Sequence, residues 1–233
     1  MRASFNSYTL YARFFPAIIS ALPLFILWFF LAENRQLNEL LTFLLSIKFY
    51  GGVTISVVAL YFYAQIIRIA SKYFENKYFI DNLGFPTAYL MTYADSTFSK
   101  SYKTKYRELV KKHFNVDLLN EAEEVQDVSE ARKLLNEVTK QVILKVGDGR
   151  LVKRQNIWYG FVRNLIGGTL FSIIFCCINI AVGLTVCKNM LLIIVSVVLL
   201  IMYGILFLFR RQILKQNAEA YANQLIAEFI SLG

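Results

Sequence analysis

The sequence predicts an all-α membrane protein: two transmembrane helical hairpins, four spans in all, with a helical cytoplasmic module between spans 2 and 3. Three observations lead there. Of the 233 residues 57% are hydrophobic, and the mean hydropathy is +0.48, well above the usual soluble domain. The apolar excess falls in runs long enough to cross a bilayer, two before a polar, basic stretch over residues 68–160 and two after it. Lys and Arg concentrate on one side of that layout.

The N-terminal hairpin takes residues 1–67. Residues 14–32 carry no charge, and at about 1.5 Å per residue they match a hydrocarbon core of about 30 Å. The run exceeds the apolar region of a signal peptide and lacks a small-residue cleavage pattern, so it reads as a span. Pro16 falls in its first turn, where a missing N–H matters little. Pro23 is interior and predicts a kink. Residues 33–48 place leucines at helical spacing and read either as an interfacial amphipathic helix or as the first turns of the next span. The second span, 49–67, opens on Gly51-Gly52, a small-residue pair suited to close helix packing, and is followed by Arg68 and Lys72.

The module covers 68–160. A helix to about Tyr78, a turn over 82–86 and a short helix near Tyr89 open it. In 101–114, Tyr102, Tyr106, Leu109, Val110 and Phe114 share one helical face, leaving Lys100, Lys103, Lys105, Arg107, Lys111 and Lys112 to the remainder. After a break at 115–120 and an acidic run at 121–127, a helix is expected over 129–146, with Ser129 as its cap and Ala131, Leu134, Leu135, Val138, Val142 and Ile143 as its buried face. Gly147-Asp148-Gly149 stops it. Arg150, Lys153 and Arg154 then lead into Trp158, Tyr159 and Phe161, which read as an interfacial collar.

The C-terminal hairpin takes 161–209, with spans at about 165–186 and 190–209. Span 3 is the more polar, with Gly167, Gly168, Thr169, Ser172, Asn179, Gly183 and Thr185. The tail, 210–233, keeps a stripe of Leu214, Ala218, Tyr221, Ala222, Leu225 and Phe229. It is expected to continue the fourth helix and to pack on the module or on a neighbouring subunit. Arg68, Lys72, Arg154, Arg163, Arg210 and Arg211 lie near span ends on the module side, against Arg35, Lys48 and Lys188 opposite. That asymmetry predicts an inner (plasma) membrane protein with module and both termini in the cytoplasm.

Phosphate-loop, dinucleotide, nucleophile-elbow and zinc-protease motifs are absent. One histidine, His113, and three cysteines clustered at span 3 (Cys176, Cys177, Cys187) argue against a His/Cys metal site. The sequence therefore predicts no enzyme, no metal and no cofactor. Two features invite function. The basic cluster from Lys100 to Lys112, with Arg150, Lys153 and Arg154 beyond it, reads as a solvated face, as a surface for anionic lipid, or as a site for a nucleotide or oligonucleotide whose bases stack on tyrosine. Asn179, with Ser172 and Gly183 on the same stripe, reads either as a helix–helix hydrogen bond or as the lining of a pore built by several copies.

Phe85-Pro86-Thr87, the central helices with Asp127 and Glu137, and Asn156, Tyr159-Gly160-Phe161 and Arg163-Asn164 entering a span resemble the small four-span effectors of bacterial anti-phage defence, of the Hailong channel type. The resemblance implies a homo-oligomeric ion channel that depolarises the cell, a nucleic-acid-like ligand on the cytoplasmic module, and a nucleotidyltransferase partner. The alternative is a membrane-anchored scaffold or sensor that recruits a cytoplasmic protein and conducts nothing.

Overall fold

A computed structural model of the chain describes residues 7–32, 49–80 and 84–233, with residues 32, 49–56 and 80 as backbone alone. The described residues are all-helical. In chain order they form α1 (Ser7–Thr9), a π-helical turn (Leu10–Phe14), α2 (Phe15–Ala32), α3 (Phe49–Ile80), α4 (Pro86–Tyr89), α5 (Lys100–Phe114), α6 (Glu121–Gln126), α7 (Val128–Val146), α8 (Arg150–Thr185), α9 (Met190–Leu208) and α10 (Arg210–Ile230). The expectations at 33–48, the turn residues 82 and 83, and the charges Arg35 and Lys48 lie outside the described residues, as does the packing of Gly51-Gly52.

Among these helices three are long and apolar enough to cross a membrane: Ser7–Leu31, Arg150–Thr185 and Met190–Leu208, with hydropathies of 2.3, 2.3 and 3.1. They mark a multi-pass membrane protein. The chain divides into two compact units. The first, Met1–Phe74 with Gly160–Ile213, holds two of the candidate spans and, from Gly160 on, most of the third; the second is Glu75–Tyr159 with Leu214–Gly233.

In the first unit the polar stripe of α8 faces inward: Asn164, Gly167, Gly168, Thr169, Ser172, Asn179 and Gly183 are all buried. Two glycines make close packing possible. A Cβ on Gly167 would sit 2.0 Å from Ser71 Oγ of α3, and one on Gly168 would sit 2.6 Å from Ser20 Cβ of α2. Pro16 is not in a first turn, because helix already runs from Ser7. Its missing N–H frees the carbonyl of Ala12 inside the π-helical turn, and Asn164 Nδ2 donates to that oxygen at 2.5 Å. Pro23 likewise frees the carbonyl of Ile19, and the Tyr203 hydroxyl of α9 donates to it at 2.6 Å.

The second unit is built around one apolar core. Tyr106, Leu109 and Val110 of α5, Leu135, Val138 and Val142 of α7, and Leu225, Ile226 and Phe229 of α10 meet there. Phe229 lies parallel to Phe114 at 5.7 Å and edge-on to Tyr106 at 5.4 Å. Local sequence sets the helix ends. Ser99 caps α5 through Tyr102 N–H, and Asn115 ends it at φ 53, a left-handed position that asparagine tolerates. Asn120 and Glu123 form a reciprocal capping box on α6.

Several expectations are corrected. Asp127, not Ser129, caps α7, its carboxylate accepting from Glu130 N–H at 2.9 Å. On α7, Ile143 is exposed and Leu134 half-buried, while Thr139 and Val146 take buried positions. Tyr159 is not part of an exposed collar. It is buried in the second unit, its hydroxyl donating to Glu75 and its ring parallel to Tyr221 at 6.2 Å. The tail does not continue the fourth helix without a break: at Phe209 ψ opens to 7°, and α10 starts anew at Arg210.

Candidate functional site

The basic helix α5 does not present its cations as one patch. Lys103 is 2% exposed, and its Nζ donates to the carbonyls of Thr92, at 2.7 Å, and Asp95. Burial pulls its pKa down, and Asp95 opposes that shift. Arg107 is also turned in. Its guanidinium pairs with buried Glu124, lies 4.0 Å above the Tyr93 ring, and donates from Nε to Leu119 O. Glu124 in turn accepts the backbone N–H of Tyr93 at 2.7 Å. The acidic run is therefore no plain solvated face, since one of its members completes a buried network.

At the surface Lys100 pairs with Glu121 and Lys111 with Asp117, both at 2.7 Å. Lys105 and Lys112 remain exposed. Helical periodicity separates apolar from charged residues, but it does not show that Lys103 reaches a ring of carbonyls. The signal for that was the i, i+3 spacing of Lys103 and Tyr106 on the buried side of the same helix. Arg150, Lys153 and Arg154 are exposed over the first two turns of α8, spaced as one face.

A better-formed site lies elsewhere in the second unit. A cavity of about 610 Å³ is walled by Phe85, Tyr159 and Tyr221 and bordered by Arg132, Asn136 and Lys140. Its size falls in the range of small-molecule sites. Arg132, Asn136 and Lys140 recur every four residues along α7, so one helix face aims two cations and an amide at the same opening. The Glu75–Tyr159 hydrogen bond and the Tyr159–Tyr221 contact fix the aromatic wall, and Thr139 Oγ1 donates to Thr87 O at 3.2 Å, with Glu75, Thr87 and Thr139 all in the lining. Aromatic faces beside two cations suit a planar anion. A second cavity of about 290 Å³ has Asp95, Glu121 and Glu124 in its lining together with Arg132, and two of those carboxylates are already paired, Glu121 with Lys100 and Glu124 with Arg107. Periodicity placed Tyr221 in the tail's stripe, but Arg132 and Lys140 went unmarked, because isolated cations on a helix resemble ordinary solvated residues.

The three residues expected to line a pore, Ser172, Asn179 and Gly183, are engaged inside the first unit. Asn179 Nδ2 donates to Pro23 O at 2.8 Å, and Ser172 Oγ donates to Ser20 O at 2.9 Å. Gly183 packs against Ile193, where a Cβ would come within 2.8 Å. Both polar side chains are fully buried, and in this arrangement they join helices within one copy. All three cysteines are free thiols, and no cluster of metal-ligating side chains occurs among the described residues. No family model matches the chain, and no curated protein or solved structure is similar to it.

Proposed function

We propose that this chain is a non-catalytic, four-span effector of the bacterial inner membrane, with the charge-free stretch 49–67 of α3 as its second span. Several copies assemble an ion-conducting pore, and a nucleotide or oligonucleotide bound by the cytoplasmic module sets its gating. The observation that carries the reading is covalent. Helices α3 and α8 each supply residues to both the span-bearing unit and the module, without a break in either helix. Each of these two helices is a direct chain connection between the ligand-bearing module and the spans. The α7 cavity, with Arg132 and Lys140 on an aromatic wall, supports an anionic aromatic ligand. The resemblance to Hailong-type effectors supports an anti-phage role and a nucleotidyltransferase as the partner that makes the ligand.

The test is current across a planar bilayer holding purified protein, with and without mononucleotides and short DNA or RNA oligomers. Discrete conductance that a nucleotide alters is expected, as is loss of that response, with basal current retained, in Arg132→Glu/Lys140→Glu. A silent bilayer with demonstrably inserted protein would favour the second reading, a membrane-anchored scaffold. That reading draws on the engagement of Ser172 and Asn179 within one copy, which removes the most polar groups of span 3 from a shared lining.

A further inference from the structure

The first unit carries a groove of about 630 Å³ that none of the roles above uses. Ile66, Ile69 and Ala70 of α3 form one wall and Phe171 of α8 the other; Phe74 against Phe207 of α9 closes one end, the two rings 6.0 Å apart. The walls are apolar, and Ile69 is 71% exposed, so the groove opens outward from the helices. At the closed end stands Arg210. Its guanidinium lies 4.2 Å over the Phe207 ring, and one N–H donates to Phe207 O at 2.7 Å. That leaves most of its five donors for another acceptor, and no carboxylate pairs with it among the described residues.

We propose that this groove binds one phospholipid, with an acyl chain along the apolar walls and the phosphate on Arg210. Two arguments choose a lipid over a second copy of the chain. Helices associate in a membrane through small residues and polar groups, because lipid tails are as apolar as leucine. These walls offer one small residue, Ala70, and a single polar group, the hydroxyl of Tyr73, whereas the contacts within the unit use Gly167, Gly168, Ser172 and Asn179. A concave apolar crevice between helices loses dispersion contacts unless something flexible fills it, and an acyl chain does so. The fixed cation at one end complements a phosphate, and it stands where span 4 gives way to the charged tail, at the depth of headgroups. The inference requires membrane insertion but neither a pore nor a module ligand.

Native mass spectrometry of the full chain in mild detergent tests it, with phosphatidylglycerol and phosphatidylcholine of identical acyl chains as probes. One phospholipid retained per protomer is expected, with phosphatidylglycerol favoured by about fivefold through the single cation. Ala70→Phe, which fills the groove, should abolish retention. Arg210→Gln, outside the packed walls and safe for folding, should leave retention of phosphatidylcholine but erase the preference. Unchanged retention in a folded Ala70→Phe protein would overturn the acyl site, and an unchanged preference in Arg210→Gln would overturn the phosphate contact. Loss of oligomers from Ala70→Phe with lipid retention intact would assign the groove to a second copy instead.

Discussion

Pro16 and Pro23 each remove one N–H from a membrane helix and leave a carbonyl four residues back without its helical partner. In hydrocarbon no water takes its place, so another helix must. Asn164 and Tyr203 supply the donors, and Asn179 and Ser172 donate to two further carbonyls, those of Pro23 itself and Ser20. Tyr203→Phe should therefore destabilise the detergent-solubilised protein by about 0.5–2 kcal/mol. Pro23→Ala restores a donor for the Ile19 carbonyl, so Tyr203→Phe should lose most of its effect in that background. Unfolding midpoints of the two single variants and the double variant measure this coupling, and an equal Tyr203→Phe loss in both backgrounds would refute it. The sequence displayed two prolines, two asparagines and a serine in apolar runs, which marks them as needing partners. It did not pair them, because the pairs are 152 to 184 residues apart along the chain and share no periodicity.

At the scale of elements, α10 shows what a pattern contains and what it omits. Its apolar stripe was legible as a helix face in search of a surface. The structure places that face in the core of the second unit, with Phe229 fully buried between Phe114 and Tyr106. Phe229→Ala should cost about 3–5 kcal/mol. Limited proteolysis should then cut α5 and α7 at concentrations of protease that leave the parent chain intact. Uncut helices in Phe229→Ala would mean the core does not depend on the tail. The break at Phe209 escaped the sequence because α9 and α10 are each good helix, and a single residue's ψ separates them. In α5 the apolar face was legible, whereas the burial of Lys103 and Arg107 followed from carbonyls and a carboxylate supplied by segments outside it.

The whole molecule couples its second unit to pH through buried phenols. Burial raises the Tyr106 pKa above its ordinary 10.0, and burial with the neighbouring Glu219 raises that of Tyr89. A group whose folded pKa is raised holds its proton in the native state after the unfolded chain has lost it. Its contribution is intact below the ordinary value and is lost as pH rises from there through the raised folded value. The module should accordingly lose stability above pH 10.0, and Tyr106→Phe should flatten that decline while costing about 1 kcal/mol near neutrality through the lost Thr139 hydrogen bond. Thermal melts of both proteins from neutral to alkaline pH decide it; parallel declines would show that Tyr106 does not carry the effect.

Composition and periodicity alone determined that this is a helical protein with membrane-length apolar runs, where most helices lie, and which of their faces are apolar, because hydropathy and the helical repeat are properties of neighbouring residues. Only the tertiary structure decided that Ser172 and Asn179 join helices, that Lys103 and Arg107 are buried, that the tail completes the module's core, and that Arg132 and Lys140 border a common cavity with Tyr159 and Tyr221. Each of those outcomes depends on a partner distant in the chain. Hydrogen bonds and ion pairs form only at contact distance, and the spacing of residues along one helix says nothing about what another brings to meet them.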